Sequence, residues 1–183
     1  MKNVLKKLTA AAATLMLLAT FTVAAPDAVA QPTAKSVRKA LVTLPYYGVY
    51  DNLAYTVSVD GTVTLSGQVL RPTTKRDAES RVARIAGVTR VVNQIEVLPL
   101  SSFDDSIRVS AARAIFNAGG LSRYAMGANP SIHIVVNRGH LTLEGVVANE
   151  FDRRLAYMAA RGVAGAFTVT NNLRTDDEMR GVR

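Results

Sequence analysis

A thirteen-residue stretch occurs twice, and nothing else in the sequence limits the fold as tightly. Residues 57–69, V-S-V-D-G-T-V-T-L-S-G-Q-V, return as residues 135–147, V-V-N-R-G-H-L-T-L-E-G-V-V, at a constant offset of 78 that sets Gly61 over Gly139 and Gly67 over Gly145. The offset continues without a gap through Arg76/Arg154, Ala78/Ala156, Gly87/Gly165 and Asn93/Asn171. A solenoid repeat usually runs about 20–50 residues, so a unit this long is a duplicated domain. In the first copy the spacing predicts a hairpin with a two-residue turn at Asp60-Gly61. Alternation then places Tyr55, Val57 and Val59 on the buried face with Val63, Leu65 and Val69, and leaves Thr62, Thr64, Ser66 and Gln68 wet. Gly67 interrupts the buried row and marks a close approach, for which the following helix is the nearest candidate.

Each copy reads as helix, strand, strand, helix, strand. Ser36 is placed to cap a helix on Val37, Ala40, Leu41 and Leu44 that Pro45 ends. Tyr46, Tyr47, Tyr50 and Tyr55 crowd into ten residues, which suits either an interface or the closed end of a small core. A second helix carries Ala78, Val82 and Ile85 up to Gly87, and a last strand, Val91 to Val97, sets Asn93 on its inward row to tie down the loop after that helix. Residues 99–104 read as a linker. The second copy opens with Asp104, Asp105 and Ser106 capping a helix on Ile107, Ala111, Ala114 and Ile115. Its loop from Asn117 to Pro130, containing Arg123 and Tyr124, is about eight residues longer than its counterpart, as either a distinct contact or a neutral insertion. The constant offset puts Ile132, Ile134 and Val136 on the face that the first copy keeps polar and His133 in the inward slot of Tyr55. Together with Phe151, Leu155 and Met158 on the next helix, this surplus apolar surface is expected to dock the first copy. The polar end, residues 175–183, reads as a disordered tail.

The N-terminus reads as a secretory signal. Lys2, Lys6 and Lys7 precede an apolar run from Leu8 to Ala24, and Ala28-Val29-Ala30 forms a small-residue cleavage site. Cleavage near Ala30 predicts a periplasmic or secreted protein; retention of the run as an anchor is the alternative. Without residues 1–30, which hold three Lys and one Asp, the 22 basic and 14 acidic residues fall to a formal charge of +6. That surplus favours loose attraction to anionic surfaces and decides no partner. Cysteine is absent, which excludes disulfides, thiol nucleophiles and Cys-ligated metal. Copies of about 65–70 residues, without such staples, are marginal alone and are expected to pack on one another.

No reactive constellation emerges. His133 and His140 lack metal-ligand spacing, no phosphate-binding loop or nucleophile elbow exists, and the carboxylates are accounted for by caps and surface positions. No catalytic, metal or cofactor site is therefore expected. No nucleic-acid partner is expected: the outward sheet positions are Thr, Ser and Gln where RNA-binding sheets display aromatics.

The pattern V-x-V-x-x-G-x-V-x-L-x-G-x-V, a helix, then G-V-x-x-V-x-N-x-I-x-V resembles the BON domain, a bacterial envelope module often found in tandem in OsmY-type periplasmic proteins. The matching positions are Val57, Gly61, Val63, Leu65, Gly67, Val69, Gly87, Val88, Val91, Asn93 and Ile95, then Val135, Gly139, Leu141, Leu143, Gly145, Val147, Gly165, Val169, Asn171 and Leu173, with Ala166 in place of the valine after the glycine. The resemblance implies an α+β chain of two tandem αββαβ domains, residues 31–98 and 105–174, each a three-stranded sheet with two helices on one face. It implies a non-catalytic module that binds phospholipid or other envelope partners, in envelope maintenance or osmotic stress, and a structural role for the shared glycines and asparagines. A protein-protein adaptor using a sheet edge or the 117–130 insertion is the other reading. Tyr46, Tyr47, Tyr50, Arg123 and Tyr124 are the expected surface contacts.

Overall fold

The computed structural model describes residues 34–127 and 129–181, so the expected signal at residues 1–30 lies outside the described residues. The chain is α+β and holds two αββαβ units. The first comprises α1 (Ala34–Val42), β1 (Asn52–Val57), β2 (Thr62–Val69), α2 (Pro72–Val82) and a third strand in two pieces, β3 (Arg90–Asn93) and β4 (Glu96–Val97). The second comprises α3 (Ser102–Phe116), β5 (Ile132–Asn137), β6 (His140–Val147), α4 (Glu150–Arg161) and β7 (Thr168–Thr175), followed by a short helix, α5 (Asp176–Gly181). In each sheet the middle strand runs antiparallel to the first and parallel to the third. Val63, Leu65 and Val69 pack with Val37, Leu41, Ala78 and Val82 in one core, and Leu141, Leu143 and Val147 with Ile107, Ala111, Ile115 and Ala156 in the other. Both helices of each unit therefore cover one sheet face.

The two hairpins differ by one residue, and the difference decides which side chains are buried. Val57 pairs with Val63, leaving residues 58–62 between them, whereas Val136 pairs with Leu141, leaving only residues 137–140. In the first copy the Gly61 amide donates to Ser58 O and the Ser58 amide to Thr62 O, and Gly61 sits at φ +80. This is a three-residue loop with a left-handed glycine, not the expected two-residue turn, and Val59 is 92% exposed within it. In the second copy Arg138 (φ 51) and Gly139 (φ 79) form a true two-residue turn of the primed type. The offset is thus 79 along β5: Leu53 and Ile132 each face a glycine, Gly67 and Gly145. Because side chains alternate with a period of two, a one-residue slip moves the whole row to the other face. Ile132, Ile134 and Val136 belong to the core, and His133 lies on the opposite face, against expectation.

Gly67 and Gly145 owe their identity to the neighbouring strand, not to the helix. A Cβ on Gly67 would lie 2.1 Å from Asn52 O, and one on Gly145 2.0 Å from Ser131 O, with φ of +109 and +120. Only a residue without a side chain lets the first strand start that close.

Element ends also depart from the sequence reading. Ser36 lies inside α1, and α2 stops at Val82, so Ile85 sits in the turn where it accepts from the Val88 amide. The linker is shorter than residues 99–104, because α3 begins at Ser102 with Ser101 Oγ accepting from the Asp104 amide. Asp104 is itself buried and accepts from the Arg138 and Gly139 amides at 2.9 and 2.8 Å, closing the tight turn of the second hairpin. The expected disordered tail is ordered through residue 181. Thr175 and Glu178 cap each other reciprocally, the Thr175 amide donating to Glu178 and the Glu178 amide to Thr175 Oγ1, and Arg153 pairs with Glu178.

Gly145→Ala should lower unfolding free energy by about 3 kcal/mol or more. Gly162→Ala, at φ −79 with its nearest neighbour 3.5 Å away, should change it by less than about 1 kcal/mol. Urea unfolding of the two variants checks the contrast.

Candidate functional site

The repeated motif residues build scaffold. Asn93 donates to Lys75 O at 3.1 Å and accepts from the Ile95 amide; Asn171 donates to Arg153 O at 3.2 Å and accepts from the Leu173 amide. Each asparagine staples the third strand to the first turns of the preceding helix, not to the loop after it. Gly61 O accepts from the Thr89 amide and Gly139 O from the Phe167 amide, tying each hairpin tip to the turn containing Gly87 or Gly165.

The tyrosine segment joins the two copies. The Ile134 amide, on the free edge of β5, donates to Val49 O at 2.7 Å, and Val49 and Tyr50 pack against the second core. Further along that edge, Val136 O accepts from the buried guanidinium of Arg108, which pairs with Asp105. Tyr47 packs on the first core while its ring meets His133 at 5.5 Å between centroids, and burial pushes its phenol up to about 12. His133 is 9% exposed, its Nδ1 lies 3.3 Å from Gly48 O, and burial holds its pKa below the ordinary value. Asp51 accepts from the Gly48 and Leu70 amides while burial raises its pKa. Asn129 Nδ2 to Val42 O and Asn137 Nδ2 to Glu96 add bonds across the joint. The first copy thus docks through this segment, not on the apolar rows expected.

Of the expected surface contacts, Tyr46 and Arg123 are exposed, Tyr46 to 69% with Arg71 over its ring, while Tyr47 and Tyr50 are half-buried. Tyr124 is core. The insertion folds a 3-10 turn, Leu121–Ala125, that buries Leu121 and Tyr124. The Tyr124 hydroxyl donates to Asp152 at 2.5 Å and accepts from the Ala148 amide at 2.9 Å, and Arg123 pairs with the same carboxylate.

Two apolar surfaces remain uncovered among the described residues. On α4, Phe151 is 70% and Met158 68% exposed, with half-buried Leu155 between them. The spacing i, i+4, i+7 makes one ridge, and Arg154 and Arg161 stand exposed beside it. At the hairpin tip Phe103 and Phe167 stack at 5.8 Å, and His140 meets Phe167 edge-on. The ridge was visible in the sequence but read as an internal dock. The Phe103–Phe167 pair was missed: Phe103 sits in the first turn of α3 and Phe167 follows a Gly/Ala-rich turn, and no local pattern brings the two together. No group of three or more metal-ligating side chains occurs among the described residues.

The profile of the BON domain matches this chain twice, over residues 32–99 and 104–177. No curated protein matches significantly. Among solved structures, the chain is similar to the C-terminal domain of CdsD, the structural protein of the type III secretion system of Chlamydia trachomatis, at 12% identity and a TM-score of 0.32, covering 76% of this chain and 95% of that one. A second CdsD structure is similar at 11% identity and a TM-score of 0.31, covering 81% and 95%. At such scores neither likeness carries weight for function.

Tyr124→Phe leaves the Ala148 amide without its partner and should cost about 1–3 kcal/mol; Tyr46→Phe should be neutral within about 0.5 kcal/mol. Urea midpoints separate them. His133 yields a pH prediction. Its folded pKa is depressed, so the unfolded chain binds the proton first, and the stability contributed by the neutral ring is complete above about pH 6.5 and lost as pH falls below it. Asp51, facing it and shifted upward by burial, opposes that slope, and Tyr47, pushed up to about 12, stays neutral throughout. Unfolding between pH 7.5 and 5 should be steeper in pH for the wild type than for His133→Gln; equal slopes would contradict the assignment.

Proposed function

The chain belongs to the BON-domain family, and on that premise we propose that it is an exported, non-catalytic envelope module that docks on anionic phospholipid surfaces. The α4 ridge carries the reading. Burying a phenylalanine or methionine side chain yields about 1.5–3 kcal/mol, and an arginine near an anionic surface adds about 1 kcal/mol. Phe151, Leu155 and Met158 with Arg154 and Arg161 therefore supply a weak, reversible and salt-sensitive attachment, the behaviour of an amphipathic helix lying in the headgroup region. No described helix is long and apolar enough to cross a membrane. Periplasmic placement after cleavage near Ala30 and a role in osmotic or envelope stress belong to the same proposal.

One observation favours a protein-protein adaptor as the second reading. The insertion is spent on the core and the β5 edge is covered, but β7 offers an eight-residue outer edge for which no partner strand exists among the described residues. Such edges accept an added strand.

Flotation of the mature chain, residues 31–183, with phosphatidylglycerol-containing vesicles at low salt should show binding that falls at 0.5 M salt. The Phe151→Asp, Met158→Asp double variant should lose it. Absence of wild-type binding to anionic vesicles at low salt would end the lipid reading.

A further inference from the structure

Where the two copies meet, a cleft of about 450 Å³ opens, within the ~300–1,000 Å³ typical of small-molecule sites. Leu41 and Val42 of α1, with Leu53 of β1, form one wall; Val146 of β6 and Met179 of α5 line the other. Two cations share the lining. Arg38 stands three and four residues before Leu41 and Val42, hence on their side of α1, and the register sets Arg174 beside Val146 on the wet face of the second sheet. Neither has an ion pair among the described residues. The single acid in the lining, Glu144, already accepts from Asn172 at 2.7 Å. His133, also in the lining, is held towards its neutral form by burial.

A concave site with apolar walls and two uncommitted guanidinium groups is matched by a molecule with a hydrocarbon chain and an anionic head. Guanidinium forks bind phosphate and carboxylate through paired, charge-assisted hydrogen bonds. We propose that this cleft takes a single anionic amphiphile, its chain between Leu53 and Met179 and its phosphate or carboxylate on Arg38 and Arg174. The inference builds on the lipid reading of the module but uses a different surface from the α4 ridge. Because Arg38 comes from one copy and Arg174 from the other, occupancy also braces the joint between them.

The test is calorimetric titration of the mature chain with monomeric dodecyl phosphate below its micelle concentration, with inorganic phosphate as the headgroup-only arm. The expected result is one dodecyl phosphate per chain, no measurable phosphate binding, and a loss of about tenfold in affinity for either Arg38→Gln or Arg174→Gln. Phe151→Asp, Met158→Asp should bind dodecyl phosphate as the wild type does while failing to float with vesicles. Binding of monomers without vesicle flotation keeps the cleft and removes the α4 surface; flotation without monomer binding does the reverse. No one-to-one binding by the wild type, or equal affinity in both arginine variants and the wild type, would overturn the proposal.

Discussion

One backbone hydrogen bond, from the Ile134 amide to Val49 O, anchors the joint between the two copies. β5 is an edge strand whose other neighbour is β6, and an uncovered edge leaves amides and carbonyls to water or to other chains. Val49 supplies an acceptor at 2.7 Å, the Arg108 guanidinium covers the next outward carbonyl at Val136, and the packing of Val49 and Tyr50 seals the second core from that side. The segment that does this belongs to the first copy. Two marginal cores of about 70 residues are thereby joined, and the cleft with Arg38 and Arg174 lies between them.

The copies solve one polar problem in two ways. After the middle strand, the chain turns into a helix and leaves an amide to be satisfied, Leu70 in the first copy and Ala148 in the second. Asp51 accepts the first at 2.7 Å and the Tyr124 hydroxyl the second at 2.9 Å. Tyr124 reaches that place from the insertion, and its hydroxyl then needs Asp152, where the first copy has the buried Thr74. The insertion thus closes its own core with its own tyrosine, leaving the shorter tyrosine segment of the first copy to close the joint.

The duplication, the order of elements and the structural glycines and asparagines were legible because each has a local signature: alternation, a turn, or an amide on an apolar row. The face of β5 was not. The sequence offset of 78 runs unbroken through the turn, yet Asp60-Gly61 closes a three-residue loop and Arg138-Gly139 a two-residue one. Turn type depends on backbone dihedrals that a D-G or R-G pair permits but does not dictate, and the resulting slip reverses His133 and Ile134. Tyr124 looked like a surface residue because its burial depends on Asp152, 28 residues away. Phe151 and Met158 were correctly recognised as surplus to the core; their exposure required knowing that the first copy docks elsewhere.

The two surfaces proposed for binding lie where the copies differ. The shared motif makes scaffold, while the uncovered ridge on α4 and the two-arginine cleft are built from positions outside the motif, and the cleft needs both copies at once. Hydrogen–deuterium exchange at the Ile134 amide tests the joint on which this rests. The account predicts that this edge amide exchanges only with opening of the whole chain, as slowly as the core amides of β6. Exchange as fast as that of amides on the open edge of β7 would show that the copies are not joined there.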